Sequence, residues 1–189
     1  VLLHGWTGDE NSMWVFTRGL SPEYWMMAPR APHAADTSGF SWRPPQAETF
    51  GRPSLEMLKP AADGLIRLID EYSASVKVEA AQFDVMGFSQ GAAMVNLLGM
   101  LYPHRVRKMG VLAGFVPAGL EDFAANKPLE GKHIFVAHGT QDQMVPVERA
   151  RDSISVLEQA GAQVTYCEDE VGHKLSANCL RALEAYLKE

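Results

Sequence analysis

In Gly87-Phe88-Ser89-Gln90-Gly91 a serine stands between two glycines, and its hydroxyl could attack a carbonyl carbon. Such a hydroxyl is a weak nucleophile at neutral pH and needs a base to take its proton. The base needs an acid that orients it and stabilises its charged form. Six histidines are available, and His173 is the best placed: Val171-Gly172-His173 follows the last apolar run and precedes the last helical pattern. Asp142 stands in Ala137-His138-Gly139-Thr140-Gln141-Asp142, in a turn leading to Pro146. Ser89, Asp142 and His173 form a candidate triad in the chain order Ser…Asp…His. Asp169 and Glu170 lie nearer to His173 and are the alternative acids. His138 is expected to support the site rather than react.

Acyl transfer also needs donors for the oxygen that becomes negative. The backbone N–H of Gln90, directly after the serine, is the first candidate. The second is the N–H of Trp6, in the glycine-containing loop His4-Gly5-Trp6-Thr7-Gly8. His4 is expected to brace that loop by hydrogen bonds.

These residues are useful only if the fold brings them together. Phe83-Asp84-Val85-Met86 reads as a buried strand entering the serine, and 92–98 reads as a helix leaving it. That is the strand–elbow–helix context in which a serine hydroxyl stands clear of the backbone. Strand-like apolar runs fall at 1–3, 24–28, 82–87, 108–113, 134–137 and 163–168. Near-continuous apolar runs suit a parallel sheet covered on both faces. Between them, Leu58, Ala62, Leu65, Ile66 and Ile69 keep helical spacing. So do Val147, Ala150, Ile154 and Leu157, and then Cys179, Leu180, Leu183 and Leu187. Pro146 suits the start of its helix and Gly161 its end; Pro60 is expected to start or kink another. The alternation predicts one α/β domain over 1–189, with a mostly parallel sheet and helices on both faces. The three triad residues then share the carboxyl edge of that sheet.

Segment 30–52 has no clear period and holds Pro32, Gly39, Pro44, Pro45 and Gly51. It is expected at the same edge, where ligands bind in such folds. Segment 114–131 is too short for a cap domain, so the site should be open. Trp6, Phe40, Trp42, Phe115 and Met144 are the candidate substrate walls.

The chain has 189 residues, 47% of them apolar and 21% charged, enough for one domain that buries roughly 70% of its unfolded surface. A net charge of −6 with no basic run argues against nucleic acid as a partner. No apolar stretch is long enough to span a bilayer. Cys167 and Cys179 show no metal spacing and read as two buried free thiols in a reducing compartment. The expected location is therefore cytoplasmic, subject to whatever precedes Val1. The expected partner is a small ester or thioester substrate, and a homodimer is allowed.

Taken in order, Leu3-His4-Gly5-Trp6-Thr7-Gly8, Gly87-Phe88-Ser89-Gln90-Gly91-Ala92, His138-Gly139-Thr140-Gln141-Asp142, Val145-Pro146 and Gly172-His173 span nearly the whole chain. In these motifs the chain resembles the α/β-hydrolase superfamily. Within it, the chain is similar to the phospholipase/carboxylesterase group that includes acyl-protein thioesterases. The resemblance implies an α/β-hydrolase sheet, a Ser–Asp–His triad and no cofactor; no metal is expected either, since no ligand cluster with metal spacing appears in the sequence. The family's first two strands are missing, since the chain opens at what would be its third. Gly39-Phe40-Ser41-Trp42-Arg43-Pro44 stands where the family carries an aromatic-acid motif. The expected activity is hydrolysis of short-to-medium acyl carboxylic esters through an acyl-enzyme. The alternatives are an acyl-protein thioesterase or lysophospholipase with the same triad, and a non-catalytic binding protein on the same fold.

Overall fold

Apolar strand residues alternate between two buried layers, as the two-residue period of a strand requires. Val85, Met109, Val111, Ile134 and Val136 face one layer; Met86, Leu112, Phe135 and Ala137 face the other. The structure, a computed structural model, describes residues 1–45 and 52–188. Part of segment 30–52, including Gly51, lies outside the described residues.

In chain order the elements are β1 (Leu2–Leu3), β2 (His33–Ala34), β3 (Phe40–Ser41), α1 (Leu55–Val76), β4 (Phe83–Phe88), α2 (Gln90–Leu101), β5 (Val106–Leu112), β6 (His133–Gly139), α3 (Val147–Gln159), β7 (Gln163–Asp169) and α4 (Ala177–Lys188). The main sheet runs β1-β4-β5-β6-β7, with every neighbour parallel. Residues of α1, α2 and α3 pack on one face, and α4 with Met13, Phe16 and Leu20 on the other. All positions of α2 from Gln90 to Met100 are buried. A helix apolar all round belongs in a core, and this one runs from the serine into the centre of the molecule.

The structure corrects four expectations. Residues 24–28 do not form a strand: β1 is only two residues long, and its edge accepts them through one bond, Leu2 N–H to Met27 O at 2.8 Å. Segment 30–52 contains the small antiparallel pair β2–β3. Helix α1 begins at Leu55, ahead of Pro60, because Ser54 caps it by accepting the Met57 N–H. Finally, Cys167 and Cys179 are not free thiols. They are joined in a disulfide, because β7 and the first turn of α4 bring them together. The cross-link spans 12 positions, and closing a loop of that size in the unfolded chain is worth roughly 3 kcal/mol. The reducing compartment inferred from free thiols loses its ground.

Candidate active site

Ser89 occupies the turn between β4 and α2 with φ 54° and ψ −114°. A non-glycine residue with positive φ is strained and marks a special turn. Thr7 (φ 68°) and Ala113 (φ 48°) share this trait just beyond the carboxyl ends of β1 and β5. The elbow tolerates no bulk beside it. A Cβ on Gly91 would fall 2.0 Å from Leu3 O, and one on Gly87 would fall 2.3 Å from Gly91 O. The Ser89 N–H donates to Leu112 O at 2.9 Å, tying the turn to β5.

Asp142 and His173 stand beyond the carboxyl ends of β6 and β7 and meet there. His173 Nδ1 lies 2.6 Å from Asp142 Oδ2. The carboxylate is fully buried and its other oxygen, Oδ1, accepts the N–H groups of Met144 and Val145, each at 2.9 Å. The turn at 142–145 thus satisfies one oxygen with backbone and leaves the other to the imidazole. The His173 ring also lies against Phe88, centroids 4.9 Å apart. The alternative acids are elsewhere engaged or turned outward: Asp169 Oδ1 accepts its neighbour's Glu170 N–H, and Glu170 is exposed.

His138 lies inside β6, not after it. Its Nε2 faces Val145 O at 2.8 Å and Asp142 Oδ2 at 3.4 Å. It therefore packs beneath the 142–145 turn, with no hydrogen-bond partner described for its buried Nδ1.

The loop 4–8 closes over the elbow. A Cβ on Gly5 would lie 3.4 Å from Ser89 Cβ, so Trp6 follows immediately beside the serine. Reciprocal bonds clamp the loop to β3: Thr7 N–H to Phe40 O at 3.0 Å and Phe40 N–H to Gly8 O at 2.9 Å. His4 braces it from below. Its Nδ1 donates to Gly5 O at 2.7 Å and its Nε2 accepts the Ala31 N–H at 3.0 Å. Both roles require neutral imidazole, and burial lowers the His4 pKa from its ordinary value.

The side chain of Gln90 makes a connection that sequence reasoning missed. Its Oε1 accepts the Trp42 N–H at 2.8 Å and its Nε2 donates to Ser41 Oγ at 3.2 Å. Trp42 Nε1–H in turn donates to His4 O at 2.8 Å. The elbow, the 4–8 loop and β3 form one network. Its signals in the sequence were Gln90 itself and the Ser41-Trp42 pair, both carrying polar handles next to apolar neighbours.

The expected substrate walls divide. Trp42 is only 2% exposed and Phe115 is buried; both belong to the core, Trp42 with its indole N–H donating inward to His4 O and Phe115 with its backbone carbonyl accepting from Asn96 Nδ2 on α2. Both side chains are almost wholly covered in the fold. Phe40 is half-buried under the Arg30 guanidinium, which sits 4.5 Å above its ring and is held by Glu10. That hydrogen bond brings the Glu10 carboxyl down to about 2. Trp6 lines a recess of about 10 Å³ with Ala34, Ser41 and Arg43. Met144 is 60% exposed on the Asp142 turn. A much larger cavity, about 190 Å³, lies at the opposite end of the sheet among Trp25, Met27, Ile69, Phe83 and Asp84, and no triad residue lines it. Among the described residues no cluster of three or more His, Cys, Asp or Glu side chains is arranged to hold a metal ion, and no helix is long and apolar enough to cross a membrane.

A sequence profile of the phospholipase/carboxylesterase family matches residues 1–189. The chain belongs to the phospholipase/carboxylesterase family. Among known proteins, carboxylesterase SOBER1 of Arabidopsis thaliana is 31% identical over 107 residues, 55% of this chain and 46% of that protein. A probable carboxylesterase, SOBER1-like, of the same plant is 29% identical over 146 residues, 75% of this chain and 55% of that protein. The chain spans about half the length of these curated relatives. In three dimensions it is similar to the esterase PE8, with a TM-score of 0.85 at 24% identity over 99% of this chain and 89% of that one. It is similar also to a Bacillus cereus carboxylesterase, with a TM-score of 0.82 at 21% identity over 99% and 85% of the two chains. These likenesses bear out the α/β-hydrolase fold, with its mostly parallel sheet.

Proposed function

We propose that this family member is a serine carboxylesterase. The observation that carries the reading is the buried Asp142 carboxylate on His173 Nδ1, at the same sheet edge as the strained Ser89 elbow. With Nδ1 bound to Asp142, Nε2 is the nitrogen left to take the Ser89 proton. Ser89 Oγ then bonds to the acyl carbon, and the carbonyl oxygen gains charge beside the backbone N–H groups of Gln90 and Trp6. The protonated His173 passes its proton to the departing alcohol. Water, deprotonated by the same imidazole, cleaves the acyl-enzyme and restores the serine. Asp142 orients the ring throughout and balances its charge. Oxyanion stabilisation of this kind contributes about 3–4 kcal/mol per donor in serine hydrolases.

The preferred substrates are small esters with short-to-medium acyl chains. Trp6, Phe40 and Met144 supply a shallow apolar wall. Each methylene that reaches it gains about 0.8 kcal/mol, and those beyond stay in water. An acyl-protein thioesterase or lysophospholipase would use the same groups on another leaving group. The Cys167–Cys179 bridge favours an oxidising compartment over the cytoplasmic location expected from free thiols.

The test is labelling with a fluorophosphonate, mapped by mass spectrometry, followed by esters and thioesters of increasing acyl length. The expected result is a single adduct on Ser89 and a kcat/KM that rises over the first few acyl carbons and then levels. An adduct elsewhere would overturn the assignment. A steady rise to sixteen-carbon acyl groups would favour the lysophospholipase or thioesterase reading.

A further inference from the structure

Asp142 and His173 touch, yet they are held by different means. Asp142 is pinned by two backbone N–H groups inside a tight turn. His173 rides on the loop between β7 and α4. The sheet reaches that loop through Thr140 N–H to Asp169 O and Gln141 N–H to Val171 O, both ahead of the histidine. The hydrogen bonds described for the backbone of 172–176 stay within the loop or go to the first turn of α4. Among the described residues β7 is also the last strand of the sheet, paired with β6 alone.

The disulfide closes this loop. Cys167 and Cys179 stand 12 positions apart, and His173 is midway between them. Cys179 is buried among Phe135, Ala137 and Leu183, so the α4 end of the bridge is anchored in the core. The other end holds β7 two residues before the strand finishes.

We propose that the Cys167–Cys179 disulfide is a positioning staple for His173, and that its reduction lowers turnover without unfolding the domain. The inference rests on the serine-esterase reading of the site. A dithiol reductant breaks the S–S bond, delivering two electrons and two protons. Cys167 and Cys179 become thiols, and the reductant closes into its own disulfide. β7 then loses its covalent tie to α4 across the base of the loop, while Ser89, Asp142 and the oxyanion loop stay in place. A displacement of about 1 Å at a reacting group costs on the order of 100-fold in rate.

The experiment compares the oxidised full chain, the same protein reduced with dithiothreitol, and the Cys167→Ala/Cys179→Ala double variant. Each is assayed with p-nitrophenyl butyrate, with near-ultraviolet circular dichroism to report the fold. The low-field proton resonance of His173 Nδ1–H reports the bond to Asp142 independently of turnover. The expected result is a native dichroism spectrum, kcat reduced roughly ten- to a hundredfold with KM unchanged, a broadened or absent Nδ1–H resonance, and recovery on reoxidation of the wild-type chain. Equal kcat and an equal resonance in the folded, reduced protein would overturn the staple. So would loss of the whole fold in both reduced and double-variant proteins, since the bridge would then hold the domain and not the loop. Failure of the esterase reading looks different: the oxidised protein would neither hydrolyse the ester nor take a fluorophosphonate on Ser89, while the resonance would still report on the staple.

Discussion

Ser89 leaves β4, which has a strand on either side; His173 leaves β7, which among the described residues is paired only with β6. Around the serine, backbone packs on backbone. Gly91 presses against Leu3 O and Gly87 against Gly91 O, with no room for a side-chain carbon at either position. Around the histidine the packing is uneven: a Cβ on Gly172 would meet nothing nearer than Gln141 O at 3.8 Å, whereas one on Gly139, at the end of β6, would fall 2.2 Å from Val171 O and 2.4 Å from Gly172 O. Close-packed backbone holds the elbow and the approach to the histidine, while His173 itself is held by one side-chain hydrogen bond and one ring contact, with a covalent cross-link across its loop. Thus the serine is fixed by the backbone packed around it, and the histidine by its side-chain contacts on a cross-linked loop.

The sharpest break in this comparison is the removal of its two ends. Ser89→Ala should lower kcat by about 10⁴–10⁶-fold, because triad members act as a unit. Its circular dichroism should match the parent. Activity within tenfold of the parent would remove Ser89 from the chemistry. Asp142→Asn should cost roughly 10⁴-fold by favouring the wrong tautomer of His173. Asp169→Asn should cost far less, since its carboxylate serves its own turn. A reversed order in steady-state assays would show that the base takes its orientation from β7 and not from the 142–145 turn.

Two glycine substitutions test the packing difference directly. Gly91→Ala should destabilise the protein by about 1–3 kcal/mol or more, the usual cost of overpacking. Gly172→Ala should stay within about 0.5 kcal/mol of the parent. Urea midpoints measure both, and comparable losses would mean that the loop is as closely packed as the elbow.

The smallest effect concerns acid. His4 is buried beneath the 4–8 loop, donating from Nδ1 and accepting at Nε2, and burial lowers its pKa in the fold. The unfolded chain therefore takes up a proton first. Stability from His4 is complete above its unfolded value, about 6.5, and is lost as pH falls below that toward the lower folded value. The dependence of the urea midpoint on pH between 7 and 5 should flatten in His4→Gln. An unchanged slope would assign acid sensitivity to other groups.

The elbow was legible because its requirements are local: strand, tight turn and helix follow each other within a few residues. Asp142 and His173 were legible for a related reason, since each follows an apolar run that ends at the same sheet edge. Trp42 was misread. An aromatic next to a loop looks like a wall, but its indole N–H found a carbonyl inward, at His4. Residues 24–28 carry the composition of a strand, yet a two-residue β1 gives them too little edge to pair with. The cysteine pair was misread because spacing alone does not say which side of a sheet each thiol meets.

By itself the sequence determined the alternation of strands and helices from β4 to α4, the strand–serine–helix context of Ser89, and the charge and apolar balance of the chain. These follow from periodicity and from backbone limits that act over a few residues. Only the tertiary structure decided which carboxylate reaches His173, which aromatics are core, and that Cys167 and Cys179 join. Each of those depends on distances between residues far apart in the chain or on opposite elements. Such distances are set by how the sheet twists and how the helices pack, and no local pattern encodes them.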